Sequence, residues 1–395
     1  MASLLDKLRA AKPVTAARKP LSGDCMTLLK RYEANEIRSV SLTAESVRLL
    51  QGIDVVGDIF PGDILFIDTE TTGLSGGAGT LAFLVGAGTF EGDEFVVHQF
   101  LMRDYDEEIF VLNKFRELLD KARLVVSFNG ASFDVPLLQS RFVMHRMQND
   151  LRFPPHIDLL HAARRIYKLR VGKCSLGNLE EAIFGERREN DLPGAMVPER
   201  YFRYLKTGDE SMLEDILEHN AKDIHSLAKL LFTLAQLHEM PQLALHQEDL
   251  FSLGRVYELR KRDDRARMCY RALSGGTLKN QATRRLAEMS RKEGNIEEAA
   301  KLFEQLLESG KACAQTHIAL AKIYEHRFRQ YDKALAMARR GMLYCLERLP
   351  AEAVQNSRDY RDLEHRHARL MMKVRGTVNG NTEAVQSSRS AGEAQ

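Results

Sequence analysis

A chain of 395 residues with 44% hydrophobic and 28% charged residues has room for two or three domains and an ordinary soluble core. Its net charge of +2 excludes a global basic field, so nucleic-acid binding has to rest on local patches; no apolar run approaches the roughly 18 residues of a membrane span. The five cysteines, Cys25, Cys174, Cys269, Cys313 and Cys345, are dispersed and contain no Cys-x-x-Cys pair, which argues against a zinc site or a disulfide framework and fits a reducing cytoplasm.

Residues 1–60 read as a leader and extension. Lys7, Arg9, Lys12, Arg18 and Lys19 stand against the single acid Asp6, a pattern for a short helix and a flexible arm broken by Pro13 and Pro20. Residues 21–60 give no assignable role. The first domain is expected over 61–240. Asp63 to Asp68, Thr80 to Phe90 and Phe95 to Met102 read as strands. Between the first two lies Gly73-Leu74-Ser75-Gly76-Gly77-Ala78-Gly79, which leads into another apolar run and lacks the Gly-Lys-Ser/Thr of a P-loop. It therefore reads as a tight turn, where glycine lets the backbone approach a ligand.

A helix from Glu107 to Lys121 carries Ile109, Leu112, Phe115, Leu118 and Leu119 on one face. A strand from Arg123 to Phe128 then runs into Asn129-Gly130-Ala131-Ser132-Phe133-Asp134, with Ser132 as N-cap and Pro136 in the first turn of a helix. Asp134 is thereby placed at a strand-to-helix junction, where α/β sheets put their chemistry. His156 to Leu160 reads as a short strand before a helix reaching Tyr167, and Ser175 to Phe184 as a helix closed by Gly185. Residues 186–210 read as irregular, and a long helix covers Ser211 to His238.

From residue 246 to 375 the pattern is helical and repeating. Leu253-Gly254-Arg255-Val256-Tyr257 is echoed at Leu286 and again at Leu320, spacings of 33 and 34 residues, with Ala266, Ala299 and Ala334 following as small packing positions. This resembles the tetratricopeptide repeat, whose period is about 34, although the motif's Trp is missing. Repeats of that kind present concave surfaces that hold peptides, so a protein partner is expected. Residues 351–375 read as a final helix, a solvated cap or else a contact with nucleic acid, and 376–395 as a disordered tail.

The chemistry centres on Phe66-Ile67-Asp68-Thr69-Glu70-Thr71-Thr72-Gly73. Strand alternation puts Asp68 and Glu70 on one face, and like charges that close repel unless a cation lies between them. Alone, the pair also fits a strand ending in a polar turn. Glu218-His219-Asn220-Ala221-Lys222-Asp223 adds a second acidic motif, with His219 and Asp223 one helical turn apart.

Taken in order, Asp68 and Glu70, then Asn129-x3-Phe133-Asp134, then His219-x3-Asp223 resemble the DnaQ-like, or DEDD, 3′–5′ exonucleases of the ribonuclease H-like fold over about residues 60–237. Gly76 to Gly86 points more narrowly to the bacterial YprB-like proteins. The resemblance implies an α/β ribonuclease H-like domain, a mixed sheet flanked by helices, followed by the all-α repeats. It implies a hydrolase acting on phosphodiester bonds of DNA or RNA, on single-stranded 3′ ends, with no membrane association. Asp68, Glu70, Asp134 and Asp223 would hold two Mg²⁺ or Mn²⁺ ions, hard cations that such oxygen donors suit. Thr71, Asn129 and Phe133 would contact substrate, Asn129 alternatively positioning the Asp134 loop. His219 would be the general base; its gap of four residues to Asp223 departs from the usual histidine-type spacing of five, which leaves a structural or phosphate-binding histidine as alternatives. The competing expectation is a non-catalytic scaffold that works through its helical repeats.

Overall fold

The apolar run Ile64 to Ile67 is a fully buried central strand. The structure, a computed structural model, describes residues 23–37, 39–73, 79–147, 153–188 and 192–392, the last stretch as backbone alone from 376. The basic arm of residues 1–20 and most of the glycine-rich turn, residues 74–78, lie outside the described residues. Packing divides the chain into two units, Met1–Val256 and Tyr257–Gln395.

In the first unit the elements run β1 (Met26–Glu33), α1 (Ala44–Gln51), β2 (Ile64–Thr71), β3 (Ala82–Glu91), β4 (Glu94–Leu101), α2 (Glu108–Leu119), β5 (Leu124–Ser127), α3 (Asp134–Met144), β6 (His156–Asp158), α4 (Leu159–Val171), α5 (Val197–Thr207) and α6 (Ser211–Glu239). The six-stranded sheet has the order β1-β4-β3-β2-β5-β6. Strands β2, β3 and β4 form an antiparallel meander and β1 pairs antiparallel with β4, while β5 and β6 run parallel to β2. This mixed sheet flanked by helices is the ribonuclease H-like fold expected from the sequence.

Strand parity decides what each face of β2 meets. Leu65 and Ile67 point into a core with Phe83, Phe115, Phe142 and Tyr201, where Phe83 and Tyr201 stack at 3.9 Å. Phe66 points the other way, towards Phe95 at 5.6 Å and Phe232 of α6 at 6.5 Å. Asp68 and Glu70 share the parity of Phe66, so they face the helix that carries Asp223.

Helix α6 lies across β2, β3 and β4 because β3 is stripped of side chains beneath it. A Cβ added at Gly86 would stand 2.3 Å from Asn220 Oδ1 and 2.4 Å from Ile224 Cδ1, and one at Gly88 would stand 2.5 Å from Ile224 Cγ2. Gly86 also pairs directly with Asp68 across the sheet. We therefore expect Gly86→Ala to lift α6 from the sheet, at a cost of about 1–3 kcal/mol. Urea unfolding is the check, and an unchanged midpoint would mean that α6 has slack at this crossing.

Several segments differ from the sequence reading. Residues 26–33, given no role, form β1, a half-buried edge strand whose alternation is charge-masked: Lys30 pairs with Glu218 at 2.5 Å and Tyr32 stacks on His225 at 4.3 Å. The stretch 186–210, read as irregular, contains α5, whose apolar Val197, Tyr201 and Tyr204 are buried on one side. Ser132 is not the cap of α3. That position falls to Phe133, with no side-chain cap bond, which makes Asp134 the first helical residue.

Beyond α7 (Gln247–Leu259), within which the two units divide, the second unit contains α8 (Asp263–Ala272), α9 (Gly276–Lys292), α10 (Ile296–Glu308), α11 (Ala314–His326), α12 (Tyr331–Arg348) and α13 (Arg358–Gly392). Arg170 clasps Asp249 at 2.9 Å, which ties the start of α7 to the first unit. Ala266, Ala299 and Ala334 are fully buried, as their spacing predicts. The turns fall at Gly294-Asn295, with Gly294 at φ 87° and Asn295 capping α10, and at Arg329, φ 56°. Helix α13 continues to Gly392 through the stretch read from composition as a disordered tail, whose Glu, Ala, Gln and Arg residues are good helix formers. Among the described residues no helix is long and apolar enough to cross a membrane.

Candidate active site

The site begins where β2 outruns its neighbour. Pairing with β5 ends at Phe66–Val126, so the Thr69 N–H beyond it has no strand partner on that side. It donates to Asp134 Oδ1 at 3.0 Å, and Thr69 Oγ1 donates to the same oxygen at 2.5 Å. The register shifts between Glu70 and Thr71, a bulge that ends regular pairing with β3 at the site.

Asp134 is delivered by a loop that cannot relax. Asn129 sits at φ 65°, and its N–H donates to Asp158 Oδ1 at 2.8 Å. Ala131 N–H reaches Asp158 Oδ2 at 3.2 Å, and Leu160 N–H reaches Oδ1 at 3.1 Å. Asp158 is fully buried at the end of β6, so one carboxylate satisfies three backbone donors and fixes the loop. Gly130 has no room for a side chain: an added Cβ would lie 2.3 Å from Ser127 Oγ and 3.0 Å from Asp134 Oδ2. Asp158→Asn should cost about 1–3 kcal/mol, because an amide NH₂ would face a backbone donor. Hydrogen exchange at 129–133 is the sensitive measurement. Unaltered protection there would show that Asp158 does not hold the loop.

Helix α6 brings the third group. Asn220 is fully buried, and its Nδ2 donates to Asp68 Oδ2 at 2.9 Å. Its Oδ1 accepts from Gln99 Nε2 at 2.9 Å, and Gln99 also binds the Leu217 carbonyl at 2.8 Å. Gln99 thus fixes the Asn220 amide, and Asn220 fixes the Asp68 carboxylate. One turn along, Asp223 takes Arg188 Nη2 on Oδ1 at 2.6 Å and has His219 Nε2 at 3.6 Å from Oδ2.

Electrostatics joins the four carboxylates. Burial pushes the Asp68 carboxyl well above the usual range, with Asp223, Asp134 and Glu70 adding repulsion. Burial pushes Glu70 up to about 7, against the attraction of His219, and Asp223 and Asp134 raise it further. Asp134 and Asp223 are also raised by burial, opposed in turn by the Thr69 hydrogen bonds and by His219 and Arg188. Negative charge is therefore crowded here beyond what the resident cations offset.

Alongside lies a cleft of about 710 Å³ lined by Asp68, Thr71, Asn129, Phe133 and Asp134 among others. The expected substrate residues Thr71, Asn129 and Phe133 thus border the same space as two of the carboxylates. Phe133 leaves 52% of its surface exposed, an apolar ring facing water at the cleft edge. Thr71 Oγ1 donates to the Gly73 carbonyl at 2.8 Å, which closes the turn after β2.

A family model described as the RNase_H superfamily matches residues 65–235, the span that holds every one of these side chains. A protein of Bacillus subtilis (strain 168), called YprB and described as uncharacterized, is 33% identical over 291 residues, covering 71% of this chain and 69% of that one. The chain belongs to the RNase_H superfamily. Among solved structures it is similar to the family B DNA polymerase from the hyperthermophilic archaeon Pyrobaculum calidifontis, at 16% identity and a TM-score of 0.37. That likeness covers 60% of this chain and 34% of the polymerase, and is too slight to carry an argument.

In this RNase H-like site the donors are four hard carboxylate oxygens groups whose repulsion a divalent cation would relieve, so the set fits such an ion chemically. The fit is not a preformed cage. Among the described residues no three His, Cys, Asp or Glu side chains stand at metal-holding spacing. Sequence reasoning found Asp68, Glu70, Asp134, His219 and Asp223 but missed Asn220, Thr69, Asp158 and Arg188. Asn220 lies inside the motif that was read and could have been weighed by its neighbours. Arg188 lies outside every motif and gave no signal.

Proposed function

We propose that this chain is a metal-dependent nuclease that hydrolyses phosphodiester bonds, acting as a 3′–5′ exonuclease on single-stranded ends. One observation carries the reading: strand β2 and helices α3 and α6 of an RNase H-like domain bring together four mutually repelling carboxylates beside an open cleft. Asp68, Glu70, Asp134 and Asp223 would hold Mg²⁺ or Mn²⁺, which when bound activates water and offsets phosphate charge. His219, beside Asp223, is positioned to orient or deprotonate the attacking water. Phe133 offers an exposed ring on which a terminal base can stack, and Asn129 places polar groups on the adjoining wall. Thr69 and Asn220 hold the Asp134 and Asp68 carboxylates so that their free oxygens stay aimed at the site.

The test is a panel of 5′-labelled DNA and RNA strands, single and double, incubated with Mn²⁺ and resolved by length. A ladder shortening from the 3′ end is the expected result. Internal cuts would overturn the exonuclease assignment, and no cleavage of any strand would overturn the nuclease.

A second reading is a binding protein whose helical pairs, taken as tetratricopeptide-like repeats, recruit a partner while the carboxylate site is not catalytic. The absence of a preformed three-ligand group among the described residues favours it. Titration calorimetry with Mn²⁺ separates the two, since the second predicts no heat assignable to Asp68.

A further inference from the structure

The cation that Asp223 holds in this fold is part of the chain. Arg188 donates Nε to Glu180 Oε2 at 2.5 Å and Nη2 to Glu180 Oε1 at 2.6 Å, and the same Nη2 lies 2.6 Å from Asp223 Oδ1. Glu180 is 3% exposed and sits on a π-helical turn, Glu180–Phe184, that follows Leu176–Leu179. Such turns insert an extra residue and re-aim side chains. The guanidinium is planar, permanently charged and clamped through two donors, so its place is set before any ligand arrives.

The other three carboxylates are compensated differently. Asp134 accepts from Thr69, and Asp68 from Asn220, all neutral donors. No Lys or Arg ion pair involves Asp68, Glu70 or Asp134 among the described residues' salt bridges of the site, where the cationic contacts are Arg188 and His219 with Asp223. The charge is thus divided: Asp223 has a built-in partner, and the Asp68, Glu70 and Asp134 group has none of fixed charge.

The geometry points to Arg188 as the resident counter-charge of Asp223, standing in for a second divalent ion, so that the carboxylates left for a divalent ion are Asp68, Glu70 and Asp134 and the chain takes one. This rests on the nuclease reading above and changes the ion count expected from the family resemblance. Two divalent ions about 3.5–4 Å apart supply two charges on either side of a phosphate. Here one of those charges is a guanidinium, a group that suits phosphate oxygens through paired N–H donors.

Mn²⁺ binding to the full chain, followed by calorimetry and by electron paramagnetic resonance of free Mn²⁺, tests this without reference to turnover. We expect one ion per wild-type chain and two per chain of Arg188→Gln. Because Arg188→Gln strands the buried Glu180, the double variant Glu180→Gln/Arg188→Gln is measured beside it, with circular dichroism to confirm folding. Adding Asp223→Asn to the double variant should return the count to one. Two ions in the wild type, or one in both wild type and the folded double variant, overturns the role of Arg188 and leaves the nuclease reading standing. No Mn²⁺ bound by any folded form overturns that reading itself.

Discussion

Asp68→Asn should yield a protein that is more stable than the wild type and inactive. The stability half follows from the crowding at β2. Burial and three neighbouring carboxylates hold the Asp68 proton tightly, and Asp68 in turn belongs to the acidic group around Glu70, whose carboxyl is pushed up to about 7. A group whose folded pKa lies above its unfolded value favours the fold fully at low pH and loses that contribution as pH rises through the folded pKa. For Glu70 the window runs from its ordinary 4.5 to about 7. Metal-free wild type should therefore lose stability between pH 5 and pH 8 relative to Asp68→Asn. The gap should be about 1–2 kcal/mol at pH 8 and small at pH 5, since one pKa unit corresponds to about 1.4 kcal/mol. An Asn at position 68 can still accept the 2.9 Å hydrogen bond from Asn220, so the strand end keeps its support.

The activity half has the opposite sign. Removing a charge aimed at the reaction centre costs about 10²–10³ in rate for a well-placed group. Mn²⁺ should raise the melting temperature of the wild type and leave that of Asp68→Asn unmoved, because stabilisation by a ligand needs its site. Thermal melts at pH 5 and 8, with and without Mn²⁺, read both halves together. If Asp68→Asn degrades oligonucleotides as fast as the wild type, the carboxylate site is not the active site. If it is instead less stable at pH 8, the repulsion described above is not what Asp68 contributes.

How far the sequence anticipated this site depends on the kind of residue. Asp68, Glu70, Asp134, His219 and Asp223 were legible as candidates because local rules place them on a strand face, at a strand-to-helix junction and on one helical turn, and because their order resembles that of the DnaQ-like exonucleases. The long helix Ser211–Glu239 and the central strands were legible for the same reason, a sustained apolar period. What was not legible depends on distant partners. Arg188 acquires its role only when the turn after Ser175 brings Glu180 beside α6. Asp158 reads in sequence as part of a short strand; in the structure it caps α4 and also binds the loop at 129–131, which lies in another segment. Strand β1 was missed because its half-buried face carries Lys30 and Tyr32 and its exposed face carries Leu29 beside Thr27, Arg31 and Glu33, a mixture without the clean apolar alternation of an interior strand. Gly86 of β3 was read as part of a motif and Gly88 was not, and the reason for both, a helix lying on the sheet, is visible only in three dimensions.

The largest stability effect is expected in the second unit. Glu325 of α11 is fully buried and carries one charge among several of the opposite sign. Its Oε2 accepts from Arg366 Nη1 at 2.8 Å and Arg369 Nη2 at 2.7 Å, and its Oε1 from Arg369 Nε at 3.0 Å and Lys373 Nζ at 2.8 Å. Burial alone would raise its carboxyl, but Arg369, Lys373 and His326 hold it at about 2. Three basic residues of α13, Arg366, Arg369 and Lys373, are thus turned inward onto α11. Leu363 and Leu370 on the same helix are fully buried, and Gly341 of α12 admits Leu363 at a position where an added Cβ would lie 2.8 Å away.

Glu325→Gln leaves Arg366, itself 6% exposed, with Asp362 at 3.3 Å as its remaining counter-charge. Breaking a buried pair from one side costs about 3–5 kcal/mol, and the lower end applies here because Arg369 and Lys373 can turn to water. Pairing Glu325→Met with Arg366→Met removes both charges and should recover most of that loss, since buried pairs replaced by apolar groups are often neutral. The pH dependence runs opposite to that of Glu70. A depressed carboxyl contributes its stability above about 4.5 and loses it as pH falls through about 2. The difference between wild type and Glu325→Gln should therefore be full at pH 6 and shrink below pH 4.5. A double variant no more stable than Glu325→Gln would show that the cost lies in packing rather than in the unpaired guanidinium. A gap that stays constant down to pH 2 would show that the charge of Glu325 contributes nothing.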